Sequence, residues 1–348
     1  MSSYTSSSRR RAALITTAVV LAAGQLGYVP VPKRYRVHEH ATYREVAARS
    51  RTEARTADVI VMGNSRVMFG INCQELGRGL RLPGRQGGRL TVADLSAEAA
   101  TPAADLWMWR QAASAPHPPR ARLAVIGLAP LDFSRKLLGT DYGLRYLFGA
   151  RDVLWLARDG RVNYAATLLT YRAMPLYAVD RSVTNMLLNQ PQRYPMLFPP
   201  SRKADLAWLG QYKSWYSDYR IDPWQVRCLT QMAQEMRAHG VRVILLAPPV
   251  GESLLRLEAG MSPNAPMPGG SAPAGMPGSP LRLFRDMVKS FEARQGVTHI
   301  DYLRAAYARR FEFWDPVHLL PASAVAFTHD LTSRINAELA RDEARAPL

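Results

Sequence analysis

The sequence predicts an α/β fold, a three-layer sandwich with a mostly parallel sheet of about five strands and a helical insertion. Three observations lead there. Short apolar runs alternate with helical patterns from Asp58 onward, and strands separated by helices pair in parallel. The clearest runs are Val59–Met62 and Val241–Ala247; the first, and the second beyond Arg242, are apolar at every position rather than at every second one, as suits strands covered on both faces. A helix stop at His239-Gly240 leads straight into the second of them, the signature of a tight helix-to-strand turn.

In chain order, strands are expected at Val59–Met62, Leu90–Leu95, Ala121–Leu128, Val241–Ala247 and Val297–Asp301. Helical patterns fill 101–115, 222–239, 281–295 and 321–341. Two segments break the alternation. Residues 133–220 are aromatic-rich and lack a clear strand, so they read as a mainly helical insertion between the third and fourth strands. Their rings, from Tyr142 to Tyr219, suit either stacking on sugar faces or the core of a helical subdomain. Residues 260–280 concentrate Pro, Gly, Ser and Met, the composition of a mobile loop. The α/β domain is expected to span 57–335, with a tail at 336–348.

The N-terminus reads as a membrane segment. Arg9-Arg10-Arg11 precedes the uncharged stretch Ala12–Val29, which Pro30 and Pro32 end. As a helix its 18 residues cover about 27 Å, near the hydrocarbon thickness of a bilayer. The same features describe a cleavable signal segment; an uncleaved anchor within residues 1–30 is the favoured reading. Residues 31–56 are polar and charged and read as a juxtamembrane stalk, partly helical. The expectation is an exported chain, held at the inner membrane with its folded domain outside the cytoplasm.

Bulk composition excludes several classes. With 47% hydrophobic and 21% charged residues the 348-residue chain is globular rather than disordered. Its net charge is +17, from 45 Lys+Arg against 28 Asp+Glu. The arginines are scattered and no nucleic-acid-binding signature organises them, so anionic lipid or polyanionic glycan is the better expected partner. Two cysteines, Cys73 and Cys228, exclude a disulfide framework and a Cys-based zinc site. No metal-ligand cluster and no Gly-rich phosphate loop after a strand is present, and no cofactor is expected.

Two short stretches carry chemistry. Gly63-Asn64-Ser65 ends the first strand, and Asp315-Pro316-Val317-His318 stands just before the last helix. A serine hydroxyl attacks a carbonyl only when a base takes its proton, and the base works best when a third group fixes its tautomer. Serine, imidazole and carboxylate are those three parts. Ser65 follows the first strand and Asp315 and His318 follow the fifth, so all three come to the carboxyl edge of the sheet, where open α/β sheets bind ligands.

This order and spacing resembles the SGNH (GDSL-like) hydrolase superfamily, whose nucleophile lies in a Gly-x-Ser turn after the first strand and whose acid and base lie in a late Asp-x-x-His. The resemblance covers roughly 57–335 and is nearest to the membrane-anchored members that serve polysaccharide O-acetylation and teichoic-acid D-alanine transfer. It implies a flavodoxin-like sheet, with Ser65 as nucleophile, His318 as general base and Asp315 as the group orienting it. It further implies an esterase or acyl (acetyl) transferase acting on an envelope polysaccharide, with an acyl-donor membrane protein as a partner. The family also places a Gly after the second strand and an Asn after the third as oxyanion donors. Here those places hold Leu95-Ser96-Ala97 and Pro130-Leu131-Asp132-Phe133. Asn64, the Arg66 N–H, Ser96 and Asp132 are the candidate replacements at the oxyanion or substrate site. Without them the same resemblance implies a catalytically silent subunit that binds glycan or organises a biosynthetic complex.

Single residues keep two readings each. Arg66 binds an anionic substrate group or pairs with a nearby carboxylate. His299 beside Asp301 imitates a catalytic pair, but a core histidine is the better reading. His117, His239 and His329 read as loop, cap and helix-surface residues.

Overall fold

Strands β1 (Val59–Met62), β2 (Val92–Asp94), β3 (Leu123–Gly127), β4 (Arg242–Ala247) and β5 (Thr298–Asp301) form one sheet. Its order is β2-β1-β3-β4-β5, and every neighbouring pair is parallel. The winding direction reverses between β1 and β3, and a crevice opens outside the carboxyl ends of strands at such a point. The computed structural model describes residues 38–83, 85, 88–114, 119–135, 147–149, 151–173, 202–264 and 275–345. These fall in two compact units, bounded Met1–Ala41 with Leu144–Pro191 and Thr42–Gly143 with Gln192–Leu348. The sheet belongs to the second.

The helices take their numbers in chain order. α1 (His38–Arg51) and α2 (Glu53–Thr56) precede β1, while α3 (Ser65–Met68) and α4 (Cys73–Gly79) lie between β1 and β2. α5 (Pro102–Ala113) leads to β3, and a 3-10 turn over Pro130–Phe133 follows that strand. α6 (Asp152–Arg158), α7 (Val162–Ala173), α8 (Arg202–Tyr216) and α9 (Pro223–Ala238) precede β4. α10 (Glu252–Glu258) and α11 (Pro280–Gln295) lead to β5, and α12 (Ala305–Arg310) and α13 (Pro321–Arg345) close the chain.

Both faces of the sheet are covered, which is why its strands read as unbroken apolar runs. Val59, Val61, Leu123, Val125, Ile244 and Leu246 point to one face, where Leu76 of α4 and Phe327, Leu331 and Ile335 of α13 bury against them. The α13 residues recur every four positions, so one stripe of the helix meets the sheet. Fully burying each such side chain contributes roughly 1.5–3 kcal/mol. Ile60, Met62, Ala124, Ile126 and Leu245 point the other way and are equally buried, beneath the layer formed by α5, α9 and α11. Both long helices of that layer start on a side-chain cap. Asp222 caps α9 by accepting from Trp224 N, and Ser279 caps α11 by accepting from Arg282 N, each with Pro at the next position.

Residues 43–56 are not a free stalk. Tyr43, Val46 and Ser50 of α1 are fully buried, and the Tyr43 hydroxyl donates to the Glu98 carbonyl beyond β2. The insertion is divided rather than continuous. α6 and α7 pack together in the first unit, around the buried Leu156 and Leu168. α8 belongs to the second unit, where it packs against α10. Among the described residues no helix is long and apolar enough to cross a membrane; the Ala12–Val29 stretch lies outside them, as do His117 and loop residues 265–274. Neither Cys73 nor Cys228 is in a disulfide.

Candidate active site

Gly63 makes the turn that presents the serine. Its φ is +133°, a backbone region that L side chains rarely adopt. A Cβ there would lie 2.7 Å from the Gly127 carbonyl oxygen of β3 and 2.8 Å from Val67 Cγ2. Only glycine lets the end of β1 pass this close to β3. Asn64 then caps α3, its Oδ1 accepting from Arg66 N at 2.9 Å. Ser65 is the first residue of that helix. Its own N–H therefore has no partner within the helix, and none among the other described residues.

The second half of the site is a closed loop. Leu320 N donates to Glu312 O, Phe313 and Leu319 bridge in antiparallel fashion, and Trp314 N donates to His318 O at 2.8 Å. Residues 314–318 are thus cinched into a tight turn before α13. Within it the Asp315 Oδ1 accepts from Val317 N at 2.7 Å and His318 N at 2.9 Å. Its Oδ2 lies 2.8 Å from His318 Nδ1. His318 Nε2 lies 2.9 Å from Ser65 Oγ. Phe69 sets its ring edge-on to the imidazole, centroids 5.1 Å apart.

The electrostatics suit a proton relay. Burial alone would raise the Asp315 pKa, but the hydrogen bond and charge of His318 and the two backbone N–H groups outweigh it. The carboxyl is held below its ordinary value and stays ionised at neutral pH. An ionised Asp315 accepting from Nδ1–H leaves Nε2 with its lone pair directed at the Ser65 hydroxyl.

The four candidates for oxyanion or substrate contacts do different work. Ser96 donates both its N–H and its hydroxyl to Asp94 Oδ1. Asn64 Nδ2 donates to both oxygens of Asp132, at 2.8 and 2.9 Å, and Asp132 also accepts from Ala129 N at 2.7 Å. Arg66 N is the donor in the Asn64 cap, and its guanidinium is buried on Glu258, Nη2 to Oε1 at 2.8 Å. Of the two readings for Arg66, the structure therefore gives the carboxylate partner. Each of the four has a partner inside the protein near the turns around Ser65, as polar groups this deeply buried need.

Asp132 is 5% exposed. Burial pushes its carboxyl up to about 7, against the Asn64 hydrogen bond, the Arg66 charge and the Ala129 N–H. Asp105 on α5 is also raised, first by burial and then by the charge of Asp132. Burial works against the Arg66 cation, yet Glu258 outweighs it and raises the pKa.

The sequence contained no sign of Glu258, Tyr212 or Tyr216 in this region. The Tyr216 hydroxyl donates to Glu258 Oε1 at 2.7 Å. Burial pushes the Tyr212 phenol up to about 12, and the charges of Arg66, Asp315 and Glu258 all act on it. Tyr212 and Tyr216 are consecutive inner positions of α8, and their burial accounts for part of the aromatic insertion as core. A buried glutamate in an otherwise ordinary short helix shows its partner only in three dimensions.

His299 is not part of the site. Burial pushes its imidazole down to about 4, and its ring packs edge-on to Phe284. His239 ends α9 and His329 is exposed on α13. Among the described residues no group of three or more His, Cys, Asp and Glu side chains is placed to hold a metal ion. No protein-family model matches the chain, and no curated protein matches it.

Proposed function

We propose that the chain is a serine-dependent acyl-ester enzyme of the SGNH type, an esterase or an O-acyl (acetyl) transferase. What supports this most is the continuous relay from Asp315 through His318 to Ser65, with links of 2.8 and 2.9 Å. In this reading His318 Nε2 takes the Ser65 proton as Oγ attacks an ester or thioester carbonyl. Asp315 holds the imidazolium that results. The free Ser65 N–H donates to the oxyanion, since the first N–H groups of a helix have no partner of their own. His318 then returns the proton to the leaving group, and the acyl-serine breaks down on attack by water or by a sugar hydroxyl. His318 acts as base a second time in that step.

The setting is the proposal's outer layer. The Ala12–Val29 stretch would hold the chain at the inner membrane with the domain outside the cytoplasm. The acceptor or substrate would be an envelope polysaccharide, and the acyl group would come from a membrane protein. This layer rests on the resemblance and the N-terminal sequence pattern.

One observation favours a second reading, a catalytically silent subunit of the same fold. Ser96 has no donor left for an oxyanion, and losing one such donor typically lowers a rate by about a hundred- to a thousandfold. Hydrolysis of p-nitrophenyl acetate and labelling by a fluorophosphonate probe separate the two. The enzyme reading expects both signals in the wild type and neither in Ser65→Ala. Equal traces for the two proteins would leave the silent subunit standing.

A further inference from the structure

The described residues contain a cavity of about 340 Å³ far from Ser65, lined by Arg78, Arg81, Arg85 and Arg89 above Leu82 and Leu90. It lies where α4 ends and the chain enters β2. This is the amino edge of the sheet, because Leu90 lies two residues before β2 and Arg85 pairs with Asp58, the residue before β1. Ser65 stands beyond the other end of the same strand. β1 has four residues, so about 13 Å of strand separates the two edges.

Charge in this cavity is unbalanced. Arg78 pairs with Glu75 and Arg85 with Asp58. Arg81 Nη1 meets only the carbonyls of Arg78 and Leu80, at 3.0 Å each, while Arg81 N is tied to Asn336 Oδ1. Among the described residues Arg89 has no carboxylate partner. Four guanidinium groups therefore face two carboxylates around one concavity. Leu82 and Leu90 are buried and give it an apolar floor fixed in the core.

From this we propose that the cavity is an anion-binding subsite for a sugar-sized oxyanion, a carboxylate- or phosphate-bearing saccharide unit. Guanidinium groups bind both oxyanions through paired N–H donors. An apolar floor matches the carbon face of a sugar ring, and a volume near the low end of ligand sites suits one such unit. On a polymer, capture at this edge would raise the local concentration of repeats at the opposite edge. The subsite is a binding claim, and it stands or falls separately from the acyl-transfer reading.

Calorimetric titration of the full chain tests it, with a galacturonic-acid oligosaccharide, a hexose phosphate and a neutral oligosaccharide of equal length. The charge-reversed pair Arg81→Glu with Arg89→Glu is compared with Arg220→Glu and Arg294→Glu, an equal charge change elsewhere on the surface. Arg81→Gln with Arg89→Gln provides a milder version, and thermal melting checks that each variant folds. The expected result is that at least one anionic saccharide binds and the neutral one does not. Binding should fall at least tenfold in both pocket variants and less than threefold in the distant one. The anion that binds more tightly identifies the group the site prefers. Equal losses in pocket and distant variants would reduce the effect to bulk charge and overturn the subsite. So would an absence of binding by both anions, or unchanged binding in the pocket variants.

Discussion

Ser65 and His318 are 253 positions apart in the chain and 2.9 Å apart in space. β1 delivers one and the loop before α13 delivers the other, both at the carboxyl edge beside the β1/β3 switch point. If the contact is the nucleophile–base pair, Ser65→Ala and His318→Ala each lower ester hydrolysis by about three orders of magnitude or more. Their combination should cost little beyond either one, because a relay fails as a unit. Steady-state rates on p-nitrophenyl acetate check this; additive losses would contradict it.

Asp315→Asn keeps the shape of the loop but can donate to Nδ1, which would place the imidazole proton on Nε2 facing the serine. Activity is expected to fall by about 10⁴. The stability effect has a definite sign. The folded carboxyl titrates below its ordinary value, so its contribution is present above that value and is lost as pH falls through the folded one. Denaturant unfolding at a series of acid pH values should show a flatter acid limb in the variant.

Arg66 and Glu258 are 3% and 0% exposed at their side chains. Removing one charge leaves the other buried and unpaired, and each of Arg66→Met and Glu258→Gln is expected to cost about 3–5 kcal/mol. The double variant should be more stable than the sum of the two losses implies. Urea unfolding of all four proteins closes the cycle; strict additivity would show that the pair is not coupled.

Asp132 supplies a second pH signature, opposite in sign to that of Asp315. Its folded pKa is raised to about 7, so the native state holds a proton that the unfolded chain has released. Its contribution is complete in acid and declines as pH rises toward 7, then levels off. Asp132→Asn removes that slope. The stability difference between wild type and variant should change by a few kcal/mol between pH 4 and pH 8, at roughly 1.4 kcal/mol per tenfold change in proton affinity. A pH-independent difference would place the carboxyl near its ordinary value.

Gly63→Ala tests the turn itself. The added methyl meets the Gly127 carbonyl and Val67 and must adopt a positive φ, so a loss of about 2 kcal/mol or more is expected. Labelling of Ser65 by a fluorophosphonate should fall as well, because α3 begins two residues on. A stable, fully labelled variant would mean the turn can open without cost.

Much of the frame was legible because it repeats locally. Continuous runs such as Val243–Leu246 mark strands buried on both faces, and Asp222-Pro223 or Ser279-Pro280 mark helix starts. α3, α4, α10 and α12 escaped notice because four to seven residues are too few to display a helical period. Residues 43–56 read as a stalk for a related reason. Tyr43 and Val46 anchor α1 to the α/β unit, but one buried stripe in a polar helix resembles a solvated segment until its partner is known.

From the order of residues alone, Ser65 follows β1, Asp315 and His318 precede α13, and both groups reach one edge of a parallel sheet. These follow from strand and helix periods, which each segment carries within itself. How the polar atoms pair is fixed in three dimensions: His318 on Ser65, Arg66 on Glu258, Asn64 on Asp132 and Ser96 on Asp94. Hydrogen bonds depend on tenths of an ångström and on direction, and three of these four join groups 68 to 253 positions apart. No local pattern encodes such a distance, so the candidate donors around Ser65 became scaffold once their partners were in view.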